Sequence, residues 1–126
     1  MMDAGKRHDL LTRATKTYGQ AAQMDMAVEE MAELTKALCK VKRAAPGCET
    51  TAAVSNVFEE IADVQIMLDQ LRIIFGGSTI DLEDGKLDRL KRRLDLHDGI
   101  DHNNEEGWRG SMLRTFLNRP GGERRD

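Results

Sequence analysis

Apolar residues recur at alternating spacings of three and four residues along two long stretches of the chain, which is the period of one face of an α-helix. In the first stretch, over about residues 22–44, this apolar stripe consists of Met24, Ala27, Met31, Leu34, Leu38 and Val41. In the second, over about residues 50–75, it consists of Val54, Val57, Ile61, Val64, Leu68, Leu71 and Phe75. We predict that the two helices pack on each other through these stripes.

Glycine and proline residues divide the chain into helical segments, because both prolines, Pro46 and Pro120, lie outside the periodic stretches and the glycines cluster near their ends. The predicted helices cover about residues 6–19, 22–44, 50–75 and 80–96. A short loop around Pro46 makes the second and third helices antiparallel neighbours. The predicted fold class is therefore all-α, a four-helix bundle with an antiparallel central helix pair.

The last part of the chain lacks the regular apolar periodicity of the predicted helices. Residues 98–126 are largely polar, and apolar periodicity returns only weakly around Trp108 and Phe116. We expect residues 1–97 to form one all-α domain. Residues 98–126 are expected to form a polar C-terminal arm, which is either ordered by contact with another subunit or disordered.

The composition agrees with a helical bundle and narrows the range of partners. Hydrophobic residues make up 40% of the chain but aromatic residues only 4%, and a core of aliphatic and methionine side chains suits packed helices. A chain of 126 residues buries only a modest core, so we expect a homodimer or homotetramer. A net charge of -3 gives no broad basic surface, which argues against nucleic acid as a partner.

The cellular compartment is predicted from the N-terminus and the cysteines. Residues 1–11 are rich in charge and contain no apolar core of a signal peptide, and no later apolar run approaches membrane-spanning length. Cys39 and Cys48 fit no zinc-ligand spacing. We therefore expect a cytoplasmic protein with free thiols and no membrane partner.

Four carboxylates lie one residue before positions of the two apolar stripes. They are Glu30 and Glu33 on the second predicted helix and Glu60 and Asp63 on the third. Each pair therefore forms a row along one flank of its helix. In an antiparallel pair these two flanks face each other, so the four carboxylates are expected to converge on one side of the helix pair.

Negative charges brought this close repel one another, and a divalent cation would neutralise them. Carboxylate ligands without a histidine on these helices favour Mg²⁺, with Mn²⁺ as the second choice, over zinc or a di-iron centre. Magnesium also accepts phosphate oxygens, which points to nucleotides as ligands. The alternative is that these are solvated helix faces, as most charged rows on helices are. Glu29 and Glu59 lie one position further round and are expected to face solvent or to orient the ligands.

The sequence Glu29-Glu30-Met31-Ala32-Glu33, followed after twenty-six residues by Glu60-Ile61-Ala62-Asp63, resembles the EExxE…ExxD signature of the MazG-like all-α NTP pyrophosphatases. The resemblance covers roughly residues 20–94. It implies a helical bundle that forms dimers or tetramers. It also implies that acidic residues hold Mg²⁺ for attack of water on the α-phosphate of a nucleoside triphosphate, releasing pyrophosphate. Carried over by position, the metal ligands would be Glu30, Glu33, Glu60 and Asp63, and Glu29 or Glu59 would serve as the base or as an orienting residue.

Further residues on these flanks fit a nucleotide. At one end of the helix pair Gln23 is expected to approach Gln70, which suits a base, and at the other end Lys40 approaches Asn56, which suits phosphate. The fourth predicted helix carries a basic row that could clamp a triphosphate. This row consists of Lys86, Arg89 and Arg93. Pairing of these cations with acids four residues away is an equally good explanation.

Three functions are consistent with these features. The first is a Mg²⁺-dependent nucleoside triphosphate pyrophosphohydrolase. The second is a helical oligomeric interaction module whose acidic flank binds a basic partner, and the third is a catalytically silent relative that binds nucleotides. Only the first predicts metal-dependent turnover, so an assay of pyrophosphate release from a panel of triphosphates separates it from the other two.

Overall fold

A computed structural model of the chain describes residues 1–99, and in this range the fold is all-α. The helices are α1 (Ala4–Tyr18), α2 (Gln20–Arg43), α3 (Cys48–Phe75) and α4 (Ile80–Asp98), and the described range contains no strand. The predicted fold class is confirmed, and every predicted helix boundary falls within two residues of the observed one. Of the predicted C-terminal arm, residues 98–126, Asp98 is the last residue of α4, and the part from residue 100 onward lies outside the described residues.

By its internal contacts the chain divides into two units, Met1–Ser78 and Thr79–Asp126. The first unit contains α1, α2 and α3, and the second begins just before α4. No helix of the described range has the length and the apolar character needed to cross a membrane.

Glycines cap the C-termini of three helices, α1, α3 and α4, and two of these glycines lie between consecutive helices. Gly19 alone separates α1 from α2, at a φ of 90° that other residues rarely adopt. Gly76 ends α3 in the left-handed conformation with a φ of 66°, and its N–H donates to the carbonyl of Ile73. These two positions therefore set where the chain can turn between consecutive helices.

The loop of residues 44–47 turns the chain back on itself, so that α2 and α3 pack side by side as an antiparallel hairpin. On each helix, buried and half-buried positions recur every three or four residues. On α2 these positions include Gln23, Ala27, Glu30, Leu34, Ala37 and Val41. On α3 they include Ala53, Val57, Glu60, Val64, Met67 and Leu71. The predicted pairing of the two central helices is therefore observed.

The face by which each helix contacts its partner is rotated relative to the predicted apolar stripe. Three of the six predicted positions on α2 and three of the seven on α3 coincide with these contact positions, and the other predicted positions lie one residue further along the helix. Of these others, Met24 and Leu68 are half-buried. Five residues predicted to pack between the helices are instead exposed in this chain: Met31, Leu38, Val54, Ile61 and Phe75. The physical reason is that Ala27 and Ala37, only 2% and 1% exposed, allow the helix axes to approach closely.

This rotation gives the hairpin two different sides. In an antiparallel pair, the residues that follow the contact positions by one project to the same side on both helices. On this side Met31, Leu38, Val54 and Ile61 are exposed. The opposite side carries the exposed acids Glu33 and Asp63. Glu30 and Glu60 lie between the helices themselves, half-buried, rather than on the flank where they were predicted.

Equivalent positions in the hairpin repeat at intervals of seven residues and form three layers. The carboxylate layer consists of Glu30, Glu60 and Asp63. Seven residues back on α2 and seven forward on α3, the amide layer consists of Gln23, Met67 and Gln70. In the other direction, the alanine layer consists of Ala37, Ala53 and Asn56. Adjacent layers are about 10.5 Å apart, because an α-helix rises about 1.5 Å per residue.

Helix α1 is tied to the hairpin by an ion-pair network as well as by apolar contact. Arg7 donates to Oδ2 of Asp69 from Nη2 at 2.7 Å and from Nε at 3.1 Å. Arg72 donates to the other oxygen of Asp69 at 3.0 Å. Leu11 and Thr15 are the buried residues of α1. One carboxylate thus accepts from two arginines, and this fixes the N-terminal helix against α3.

The close approach of α2 and α3 at the alanine layer makes a stability prediction. Ala37→Leu should overpack the contact and lower the free energy of unfolding by about 1–3 kcal/mol, measured by urea denaturation. Ala32→Leu, at an exposed position of the same helix, is the matched control and should change it little. If Ala37→Leu were neutral, the two helices would not be in contact through this row.

Candidate metal centre

Three carboxylates from two facing helices meet in the middle of the hairpin. Glu30 on α2 and Glu60 and Asp63 on α3 each offer an oxygen, and these oxygens all lie within 4.8 Å of one another. Glu60 and Asp63 are three residues apart, so they share one face of α3, and the helix pairing brings Glu30 opposite them. Glu30 and Glu60 are half-buried while Asp63 is exposed, so the cluster opens to solvent on the Asp63 side.

The cluster is electrostatically strained. Partial burial raises the pKa of Glu30 above its usual value of 4.5, and the negative charges of Asp63, Glu60, Glu33 and Glu29 raise it further. None of the ion pairs found among residues 1–99 involves a member of the carboxylate layer. Two unit negative charges 4.8 Å apart repel each other by about 3.5 kcal/mol at an effective dielectric constant of about 20, and by less where water screens them, as it does at the exposed Asp63.

The donor set fits a hard divalent cation. Carboxylate oxygens are the ligands that Mg²⁺ and Mn²⁺ prefer, and the convergent group contains neither histidine nor cysteine. Three oxygens on one side leave room for water or phosphate oxygens on the other, which is the usual situation of protein-bound Mg²⁺. A cation at this point would also remove the repulsion that raises the pKa of Glu30.

The other predicted acids lie around this group. Glu33 is exposed and is not among the three convergent carboxylates, but its charge contributes to the raised pKa of Glu30. Glu29 is also exposed and acts on Glu30 in the same way. Glu59 is exposed on α3. Of the four residues predicted as ligands, the structure therefore brings three together and places Glu33 nearby.

A groove at the loop end of the hairpin combines positive and polar side chains. Lys40 and Asn56 both line it, as expected from their predicted approach. Arg43 lines it too, although the sequence analysis did not single it out. The available signal was the basic last turn of α2, which contains Lys40, Lys42 and Arg43. The negative Glu49 lies on the same groove, so the positive charge there is partly offset.

The remaining candidates for substrate binding lie in two different parts of the chain. Gln23 and Gln70 are both buried in the amide layer of the hairpin. Lys86, Arg89 and Arg93 belong to the second unit, where they are exposed and line a surface groove of α4 together with Leu87 and Leu90. Lys91 in the same helix pairs with the buried Asp95 at 3.2 Å.

Comparisons of the chain with protein-family models, with curated proteins and with solved structures find no match. The resemblance to the MazG-like pyrophosphatases therefore rests on the carboxylate motif and its spacing alone.

The raised pKa of Glu30 makes a prediction about pH. A group whose pKa is higher in the folded state stabilises the fold below its unfolded pKa, and this contribution is lost as the pH rises through the folded pKa. In metal-free buffer, Glu30→Gln should therefore become progressively more stable relative to wild type as the pH rises above 4.5, the usual value for this carboxyl group. Urea denaturation across a pH series with a chelator measures this difference.

Asp25→Asn is the control for this measurement, because it removes an exposed carboxylate of α2 outside the cluster. Its stability difference from wild type should not follow the same trend. A Glu30→Gln variant that is less stable than wild type at neutral pH would mean that the Glu30 carboxylate makes a favourable contact and is not repelled.

Proposed function

We propose that this protein is a Mg²⁺-dependent nucleoside triphosphate pyrophosphohydrolase, which hydrolyses a triphosphate to a monophosphate and pyrophosphate. The observation that carries the proposal is the convergence of Glu30, Glu60 and Asp63 from two facing helices. Carboxylates are held together between packed helices although they repel one another, and a hard divalent cation is the ligand that relieves this repulsion. The motif resemblance of these residues to the MazG-like enzymes supports the same activity.

The carboxylate layer would hold the metal through Glu30, Glu60 and Asp63, and the charge of the nearby Glu33 would help to attract it. Bound Mg²⁺ would polarise the α-phosphate and lower the pKa of a bound water. Because Asp63 is exposed, the phosphate chain would approach from its side of the hairpin. The exposed Glu29 and Glu59 are candidates for the base that accepts the proton of the attacking water.

Positive side chains would bind the departing pyrophosphate. Lys40 and Arg43 line the groove at the loop end, in the same unit as the carboxylates, and can neutralise phosphate oxygens. In a reaction with little covalent chemistry for the protein to perform, positioning and charge neutralisation of this kind supply most of the rate.

The active form is proposed to be a homodimer or homotetramer. Support comes from the side of the hairpin that exposes Met31, Leu38, Val54 and Ile61, because a row of large apolar side chains is costly to leave in water. Light scattering should report a multiple of the 14.1 kDa chain mass, and Ile61→Lys should shift the protein towards the monomer. A wild-type monomer at working concentrations would contradict this assembly.

Turnover by single carboxylate variants tests the proposed activity. Wild-type protein with Mg²⁺ should release pyrophosphate from at least one member of a panel of ribo- and deoxyribonucleoside triphosphates. Glu60→Gln and Asp63→Asn should each lower kcat/KM by a hundredfold or more, on the order of 3 kcal/mol of lost transition-state stabilisation. Both changes keep the side chain's size, and in metal-free buffer neither should destabilise the fold, because each removes one of the mutually repelling charges.

Asp25→Asn makes the same chemical change as Asp63→Asn at an exposed position of α2 outside the cluster, and it should retain the wild-type rate. If Glu60→Gln and Asp63→Asn released pyrophosphate with the same kcat/KM as wild type, the carboxylate layer would not be the active site. A folded wild-type protein that releases pyrophosphate from no triphosphate would leave the interaction module or the silent nucleotide-binding relative as the function.

A further inference from the structure

One buried polar atom of the hairpin lacks a hydrogen-bond partner. Gln70 is only 4% exposed, and its side-chain carbonyl oxygen, Oε1, accepts no hydrogen bond from any residue of the described range. Gln70 lies in the amide layer with Gln23, which is also buried. The layer therefore contains a buried acceptor for which the chain itself supplies no donor.

Such an acceptor lowers stability, because burial removes its hydrogen bonds to bulk water and no side chain or backbone group of the described range replaces them. A leucine or methionine in this position would fill the same space without that loss. The stability of the hairpin alone therefore does not explain a glutamine here. A donor supplied by a bound molecule would.

We propose that the amide layer binds a nucleobase, with Oε1 of Gln70 accepting a hydrogen bond from an N–H group on the edge of the base. This inference rests on the proposed function, because it takes the α-phosphate of the nucleotide to lie at the carboxylate layer. The amide layer is about 10.5 Å away along the helices, two helical turns, which is too far for the ribose attached to that phosphate and within reach of the base beyond it.

The chemistry of the layer fits a base better than a sugar. A primary amide presents an acceptor beside a donor, and this pair matches the adjacent N–H and acceptor groups on the edge of a base. The third member of the layer, Met67, is buried, and a thioether is a favourable neighbour for the flat face of an aromatic ring. A sugar would instead require several hydroxyl partners, whereas the layer contributes two amides.

Binding of free nucleosides in metal-free buffer tests the inference without requiring hydrolysis. Ligand-observed NMR would compare the four common nucleosides, their 2′-deoxy forms, ribose, and nucleosides whose N–H donors are blocked by methylation. Wild-type protein should bind at least one nucleoside more tightly than ribose by about tenfold or more, the size of one net hydrogen bond with some stacking. The 2′-deoxy form should bind equally well, and the methylated form should lose the advantage.

Gln70→Met should remove most of this preference, weakening nucleoside binding by about tenfold, while the melting temperature of the unliganded protein stays the same or rises. The matched control is Gln65→Met, at an exposed position of α3, which should bind nucleosides like wild type. We therefore expect Gln70→Met to bind nucleosides more weakly without being less stable than wild type. If the glutamine had a purely structural role, its replacement would lower the stability of the protein.

Three results would overturn the inference: no preference of wild type for nucleosides over ribose, undiminished nucleoside binding by Gln70→Met, or a change in oligomeric state by Gln70→Met with nucleoside binding intact. The last result would mean that a second copy of the chain supplies the donor. Nucleoside binding that depends on Gln70 in a protein that hydrolyses no triphosphate would support this inference and contradict only the proposed hydrolase activity.

Discussion

Repulsion between carboxylates held inside a helix pair is the constraint on which the rest of this structure depends. Glu30 and Glu60 occupy positions in the contact between α2 and α3, and Asp63 lies at its edge, with their oxygens within 4.8 Å of one another. Packing energy from the alanine and aliphatic positions above and below must offset this repulsion. A site that is destabilising by itself and is built into the centre of the fold is typical of functional sites, where stability is exchanged for binding.

The same rotation of the helices that places Glu30 and Glu60 between them exposes apolar residues on the other side of the hairpin. Small side chains at Ala27 and Ala37 bring the axes close, so the larger Met31 and Leu38 cannot be accommodated between them. The side with the carboxylates and the apolar side are therefore two consequences of the same helix packing. In the proposed enzyme the first would bind substrate and the second would bind another copy of the chain.

The sequence predicted the helices and their pairing well, because apolar periodicity, Gly76 and the Pro46 loop are local signals. It misjudged the rotation of α2 and α3. Their apolar surface is wider than one contact stripe, and periodicity counts Met31 and Leu38 as core residues when only tertiary packing can decide between two neighbouring rows.

For the site, the spacing of the carboxylates was enough to predict that Glu30, Glu60 and Asp63 come together. Glu60 and Asp63 are three residues apart and share a face of α3, and the antiparallel pairing of the helices brings Glu30 opposite them. Spacing could not reveal that Glu33 would lie outside the closest group, because its distance from the others depends on that same rotation. Nor could it reveal that Oε1 of Gln70 would be buried without a partner, which depends on every neighbouring side chain. Arg43 was missed because it lies at the very end of a helix, where periodicity no longer indicates direction.

We propose that the carboxylate layer binds a divalent cation, and the most direct test is the position of that cation in a crystal. Crystals of the full chain grown with Mn²⁺ and a non-hydrolysable triphosphate analogue would reveal it by anomalous scattering. We predict a peak between α2 and α3, bonded to oxygens of Glu30, Glu60 and Asp63 at about 2.0–2.3 Å, and contacting the phosphate chain. An anomalous map with the analogue bound but no peak at these three carboxylates would contradict the claim.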